Sequence, residues 1–409
     1  MSSSQTNRWV VLLGLSLTYA VTNGILVHTL PLIYPQLIDS FGWTQSQVTL
    51  PATVFLIVNA LTSLPAGALL DRLSPVKIIA AGLLAIVIGL LVYSRVESLW
   101  QLVAVYVVMA VGLAACGLVS NMLVLSRWFE QQRGRATGIL LMSSSAGGVI
   151  FPLVLGGLIA AGNWRTAMQL LAIIAVVVAL IPMLLLVRDR PDAAVTLPGD
   201  TPARKQPPEG PTVAQALRQP RFYLVALSTG AVWFALIGMQ QHQSIYLAKD
   251  IGVEFGVLPV VFSSFFASAV VGKLLFGWLS DHFSKILMMV LSIATLAVAM
   301  IVLRNVGSAG NVSLFGYAIL GGIGFGGAFT MIQLMFANFY AGDSFGKILA
   351  LLMLVDTLSG ALGTRVLAVM REASGHYLGG IDLIIGLLLF AAASILIAGR
   401  GYRDSLPNS

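Results

Sequence analysis

The sequence predicts an all-α membrane protein of twelve transmembrane helices arranged as two six-helix, pseudo-symmetric halves, and three observations carry that expectation. First, 58% of the 409 residues are hydrophobic and only 10% are charged, with a mean hydropathy of +0.92, values foreign to a soluble globular domain. Second, apolar runs of about 20 residues, long enough to cross the hydrocarbon layer as helix, recur along the whole chain. Third, landmarks of the first half return in the second. Gly42, Gly67 and Asp71 recur 210 residues later as Gly252, Gly277 and Asp281, and Gly134, Arg135 and Gly148 recur 212 residues later as Gly346, Lys347 and Gly360.

Taken in order, the apolar runs begin near Trp9, Val48, Val76, Trp100, Ala136, Thr166, Phe222, Gly256, Ile286, Val312, Ile348 and Leu378. The opening MSSSQTNRWVV leads straight into a long apolar run with no short core and small-residue cleavage site, so the first run is expected to stay as a helix. After the sixth run comes RDRPDAAVTLPGDTPARKQPPEGPTVAQALRQPR, rich in Pro and charge, which reads as a connection whose last part forms a surface helix. The expected divisions are 1–187 for the first half, 188–221 for a cytoplasmic linker and 222–409 for the second half.

The net charge of +7 is a topology signal and not a nucleic-acid footprint, because its basic residues are spread over short loops. On this map 16 of the 23 Lys and Arg fall on the side of both termini and the linker, 5 on the opposite side and 2 within helices. By the positive-inside rule the termini and linker are expected to be cytoplasmic. The single cysteine, Cys116, lies in an apolar run, so no internal disulfide and no metal cluster is expected.

The loop after the second run reads GALLDRLSPVK and its counterpart after the eighth reads GWLSDHFSKI. Here the chain resembles the major facilitator superfamily, whose signature in these loops is a glycine, an aspartate four residues later and following basic residues. Gly67, Asp71, Arg72 and Lys77 match, while Ser74 and Pro75 depart from the usual glycine and arginine. The resemblance implies the major facilitator fold and a latch in which Asp71 pairs with an arginine ending the fourth helix, a role that falls to Arg127; Arg72 and the repeat's Asp281 join this gating set. The plainer alternative is a turn and topology signal. Further stretches, SFGWTQSQVTL, SRWFEQQRGRATG, GNWR and HQSIYLAKDIG, resemble bacterial relatives of monocarboxylate transporters and oxalate/formate antiporters.

Lys273 lies eight residues before Asp281, roughly 12 Å inside a helix end, in an otherwise uncharged run. Ionisable residues at such depth mark substrate or proton paths, or else pair with a neighbour to hold the bundle. Counted from Gly277, Lys273 falls where the resembled transporters carry a carboxylate-binding arginine, and Ala269 stands where monocarboxylate transporters carry an aspartate. Asp356, in LLMLVDTLSGALG, lies at a similar depth and supplies a carboxylate instead. It takes the place of a second basic residue of the oxalate antiporters, leaving less positive charge than a dianion suits.

By the same resemblance His28 falls at a lysine used near substrate and proton, and its imidazole suits either substrate contact or a bond to a neighbouring backbone or hydroxyl. His242, within QQHQS, matches a histidine of the bacterial branch, or belongs to an interfacial cluster. Ser144 is the repeat counterpart of Asp356 and, with Asn121 of the fourth run, joins Lys273, His28 and His242 as candidate substrate-binding residues. Arg365 lies nine residues beyond Asp356, about 13 Å outward, as an outer gate or anchor.

Gly322, Gly324 and Gly327 spell GxGxxG, but inside an apolar run they read as helix packing and not as a nucleotide fold. Neither a P-loop nor a nucleophile elbow is present, so no enzyme activity, cofactor or metal is expected. The resulting expectation is a monomeric, multi-pass protein of a bacterial inner membrane that moves a small organic anion. The first mechanism is monocarboxylate:proton symport by rocker-switch alternating access, with Asp356 as proton carrier pairing Lys273. An organic anion exchanger and a drug or siderophore carrier are the alternatives, and a membrane sensor or enzyme the reading from another class.

Overall fold

The computed structural model describes residues 3–70, 73–129, 132–189, 210–342 and 344–400. Among them twelve helices are long and apolar enough to cross a membrane: α1 (Arg8–Phe41), α2 (Gln45–Ser63), α3 (Pro75–Tyr93), α4 (Leu99–Trp128), α5 (Arg133–Ala161), α6 (Trp164–Leu186), α7 (Pro220–Asp250), α8 (Leu258–His282), α9 (Lys285–Arg304), α10 (Gly310–Tyr340), α11 (Phe345–Ser374) and α12 (Leu378–Ala398). Each matches one apolar run of the sequence. The expected surface helix of the linker is a short turn of helix, Val213–Leu217, capped by Thr212 and Gln215.

The chain forms two compact units, Met1–Phe41 with Leu50–Arg204, and Gly42–Thr49 with Lys205–Ser409. Gly42–Thr49 groups with the second unit. The reason is polar: Thr44 donates to Glu372 at 2.6 Å and Arg365 donates to Ser46.

Within the first unit α1 packs on α5, and α3 on α4; within the second α7 packs on α11, and α9 on α10. The same pairings six helices apart are the sequence repeat expressed in three dimensions. Its sharpest local trace is at Gly42 (φ +66°) and Gly252 (φ +79°), both in the left-handed region that a side chain disfavours. Neither would meet any neighbour with a Cβ, so conformation and not space demands glycine there.

The departures at Ser74 and Pro75 also have a local cause. Ser74 is the N-cap of α3, accepting from the Lys77 N–H, and Pro75 opens the helix, a pairing that suits an N-terminus whose first N–H groups have no intrahelical partner. Asp189, at the end of the first unit's last helix, closes this cap: it accepts from the Val76 N–H at 2.9 Å and from the Ser74 hydroxyl. The glycine run of α10 does what packing requires, since a Cβ on Gly322 or Gly326 would lie 2.1 Å from the carbonyl oxygen of Phe265 or Ala269 on α8.

Candidate substrate site

In the first unit α1 leaves regular α geometry over Gly24–Thr29, a π-helical segment in which Thr29 donates to the Gly24 carbonyl at 2.7 Å. Such bulges turn side chains away from the register of the helix and recur at functional sites. Immediately before it α1 touches α5 backbone to backbone: a Cβ on Gly147 would lie 2.1 Å from the Ala20 carbonyl oxygen, and one on Gly24 2.8 Å from Gly147. That approach sets His28 against Ser144, Nε2 to Oγ 3.3 Å, with His28 buried. Two of the sequence's candidates thus meet.

Asn121 does a different job. α4 breaks at Gly117, between Leu99–Cys116 and Leu118–Trp128, and the Asn121 amide donates to the Cys116 and Gly117 carbonyls at 2.7 and 2.8 Å. It bridges the break, which satisfies backbone groups that a membrane cannot hydrate, and its Oδ1 is buried with no hydrogen-bond partner.

In the second unit Asp356 of α11 is 4% exposed. Thr229 of α7 donates to its Oδ1 at 2.7 Å. Lys273 of α8 is half-buried and holds its Nζ 4.6 Å from the centre of the Phe329 ring. The ion pairs among the described residues do not include Lys273 with Asp356. The expected direct pair is thus not what this structure contains: the Thr229 hydroxyl donates to the carboxylate, and the ammonium lies over an aromatic face. Thr229 and Phe329 escaped the sequence reading, since neither a hydroxyl nor an aromatic ring is conspicuous in an apolar helix.

His242 is fully buried, and both ring nitrogens are engaged inside the second unit. Nε2 donates to the Thr364 carbonyl at 2.8 Å, so Nδ1 is the acceptor of the Tyr377 hydroxyl at 2.7 Å. No ring nitrogen is left for a substrate. Next to this pair Arg371 and Asp250 form a 2.8 Å ion pair, and the Tyr377 N–H donates to Asp250 at 3.2 Å. The arrangement is a clamp on α7, α11 and the start of α12.

Of the gating candidates, Asp71 and Arg72 lie outside the described residues. Arg127 is half-buried near the end of α4, and Asp281 is exposed at the end of α8. Arg365 is spent on Ser46.

A family model described as Major Facilitator Superfamily matches residues 11–364 and 243–407. The chain belongs to the major facilitator superfamily. The family is one of secondary transporters and not of enzymes, and the twelve apolar helices among the described residues fit an integral multi-pass membrane protein. Among curated proteins it is 23% identical to the uncharacterized MFS-type transporter YcxA of Bacillus subtilis, over 98% of this chain and 94% of the relative. It is 24% identical to the phosphoglycerate transporter protein of Salmonella typhimurium, over 96% and 88%. A membrane sensor protein of the same organism, UhpC, is 23% identical over 60% of this chain and 58% of its own length. Among solved structures, a bacterial homolog to the human lysosomal transporter Spinster superposes with a TM-score of 0.77 at 19% identity over 97% of each chain, a likeness of fold. These relatives carry the superfamily but do not single out the monocarboxylate and oxalate branch.

Proposed function

We propose that this major facilitator protein carries small organic monocarboxylates together with protons by alternating access, with termini and linker on the cytoplasmic side of a bacterial inner membrane. Lys273 is the anion anchor: a single charge with an aromatic face beside it suits one carboxylate attached to a small apolar body better than a compact dianion. Asp356 is the proton site, and within the first unit His28 and Ser144 are candidate substrate contacts. The observation that carries the reading is Asp356 itself, a carboxyl 4% exposed and about 16 Å inside a spanning helix, bonded by the Thr229 hydroxyl in place of a cation. An ionised group at that depth costs too much to be idle, and taking up a proton removes the cost while substrate crosses.

Organic anion exchange without a proton is the second reading, and the phosphoglycerate transporter relative supports an organic anion as the cargo of either. One experiment separates the two. Proteoliposomes holding the wild type, Asp356→Asn, Lys273→Ala or Lys273→Arg are tested with lactate, pyruvate, formate, oxalate and aromatic acids. Asp356→Asn should exchange labelled acid yet lose accumulation driven by a pH gradient, because asparagine mimics only the protonated carboxyl. Lys273→Ala should lose binding and Lys273→Arg should keep part of it. Full gradient-driven accumulation by Asp356→Asn rejects proton coupling and leaves exchange; wild-type binding by Lys273→Ala rejects the anion anchor.

A further inference from the structure

We propose that the second unit binds water internally at Gln243, on a face of α7 that the clamp does not use. Residues 240–244 set three glutamines, a histidine and a serine in succession within an apolar span, and the core of a bilayer offers no solvent to meet their polar groups. Successive side chains leave a helix about 100° apart, so His242 and Gln243 face different neighbours. His242 turns to Tyr377 and Thr364. Gln243, 3% exposed, keeps its Nε2 buried with no protein hydrogen-bond partner. An amide N–H in that position is costly, and folded proteins meet such groups with ordered water or an ion.

A cavity adjoins this side chain. Leu236, Gln240 and Gln243 stand four and three residues apart and share one face of α7, and that face lines a space of about 20 Å³ bounded also by residues of α8, α9, α10 and α12. All of them belong to the second unit. Backbone contacts set the walls. Phe265 and Leu296 of the lining lie against α10, where a Cβ on Gly322 would be 2.1 Å from the Phe265 carbonyl oxygen and one on Gly324 2.9 Å from the Leu296 nitrogen. Helices already touching through their backbones cannot slide closer to fill the space, so the GxGxxG run that packs α10 also preserves the cavity.

Size, charge and hydrogen bonding select the occupant. One water needs about 10–15 Å³ of such space, so the cavity suits a single water and is too small for an organic solute. No Asp, Glu, Lys, Arg or His lines it, and an ion at this depth would have no counter-charge. A water oxygen accepts from Gln243 Nε2 and leaves two hydrogens for acceptors, which Gln240 and Tyr317 of the lining bring as an amide and a hydroxyl. Two to four polar partners are what a buried water requires. Neither Lys273 nor Asp356 lines this space, so the inference stands apart from what the protein carries.

X-ray radiolysis with mass spectrometry tests it on purified full-length protein, because hydroxyl radicals made from a bound water oxidise the side chains beside it. Methionine reports well, being readily oxidised. Met239 and Met300, 2% and 4% exposed, line the cavity, whereas Met289 and Met331, both 0% exposed, do not. In the wild type Met239 and Met300 should be oxidised several-fold faster than Met289 and Met331. In Gln243→Leu, which deletes the anchoring amide, that excess should vanish. Wild-type rates no faster than those of the two control methionines, or an excess that persists in Gln243→Leu, overturn the inference. A second measurement needs no variant. Dry apolar cavities take up xenon, so wild-type crystals under xenon pressure should show none beside Gln243, and xenon bound there overturns the water site.

Discussion

Gly147→Ala tests whether the backbone contact of α1 with α5 places His28. The added methyl would lie 2.1 Å from the Ala20 carbonyl oxygen and 3.0 Å from Gly24 Cα. Restoring an ordinary nonbonded separation of roughly 3.5 Å moves the helices apart by about 1.4 Å. The obstacle is backbone, which cannot swing away as a flexible side chain would, so the cost is an overpacking cost of about 1–3 kcal/mol. Against it stands a gain of about 0.5–1 kcal/mol for alanine over glycine within a helix. Gly157→Ala isolates that gain, because nothing lies within 4 Å of a Cβ there on the same helix. Gly147→Ala should therefore melt several degrees below Gly157→Ala in detergent, by about 2–4 °C per kcal/mol for a unit of this size. The 3.3 Å contact of His28 with Ser144 should be lost with it, weakening substrate binding, while Gly157→Ala binds normally. Equal melting temperatures with equal affinities would refute the claim that this contact sets the site.

Two further predictions concern the clamp and the orientation. Tyr377→Phe removes the hydroxyl bonded to His242 Nδ1 and leaves a buried acceptor unmet, so stability should fall by about 1–3 kcal/mol while substrate affinity holds; a drop in affinity at unchanged stability would restore His242 to the substrate site. Cysteines placed at Arg204 and Arg403, both outside the described residues, should resist an impermeant thiol reagent added to intact cells, and ready labelling at either would reverse the proposed topology.

The twelve spans, the repeat and the family were determined by the sequence alone, because each is written in one dimension. Hydropathy along roughly 20 residues decides whether a helix crosses a bilayer, and a glycine held at positive φ has to be kept at both Gly42 and Gly252 whatever surrounds it. Lys273 and Asp356 could be singled out in the same way, since charge within an apolar run is conspicuous. Their partners could not. Thr229 stands 127 residues before Asp356, and Phe329 stands 56 after Lys273; neither is set apart by type from the other threonines and phenylalanines of the apolar helices. The sequence reading brought the two charges together because opposite charges at equal depth attract. Only the tertiary structure decided that a hydroxyl meets Asp356 and an aromatic ring meets Lys273, and that His242 is spent on Tyr377 and Thr364. The physical reason is that a hydrogen bond or ring contact is set within a few tenths of an ångström by how helices rotate against each other, and that rotation is fixed by contacts such as Gly24 on Gly147, summed over the bundle and carried by no single stretch of chain.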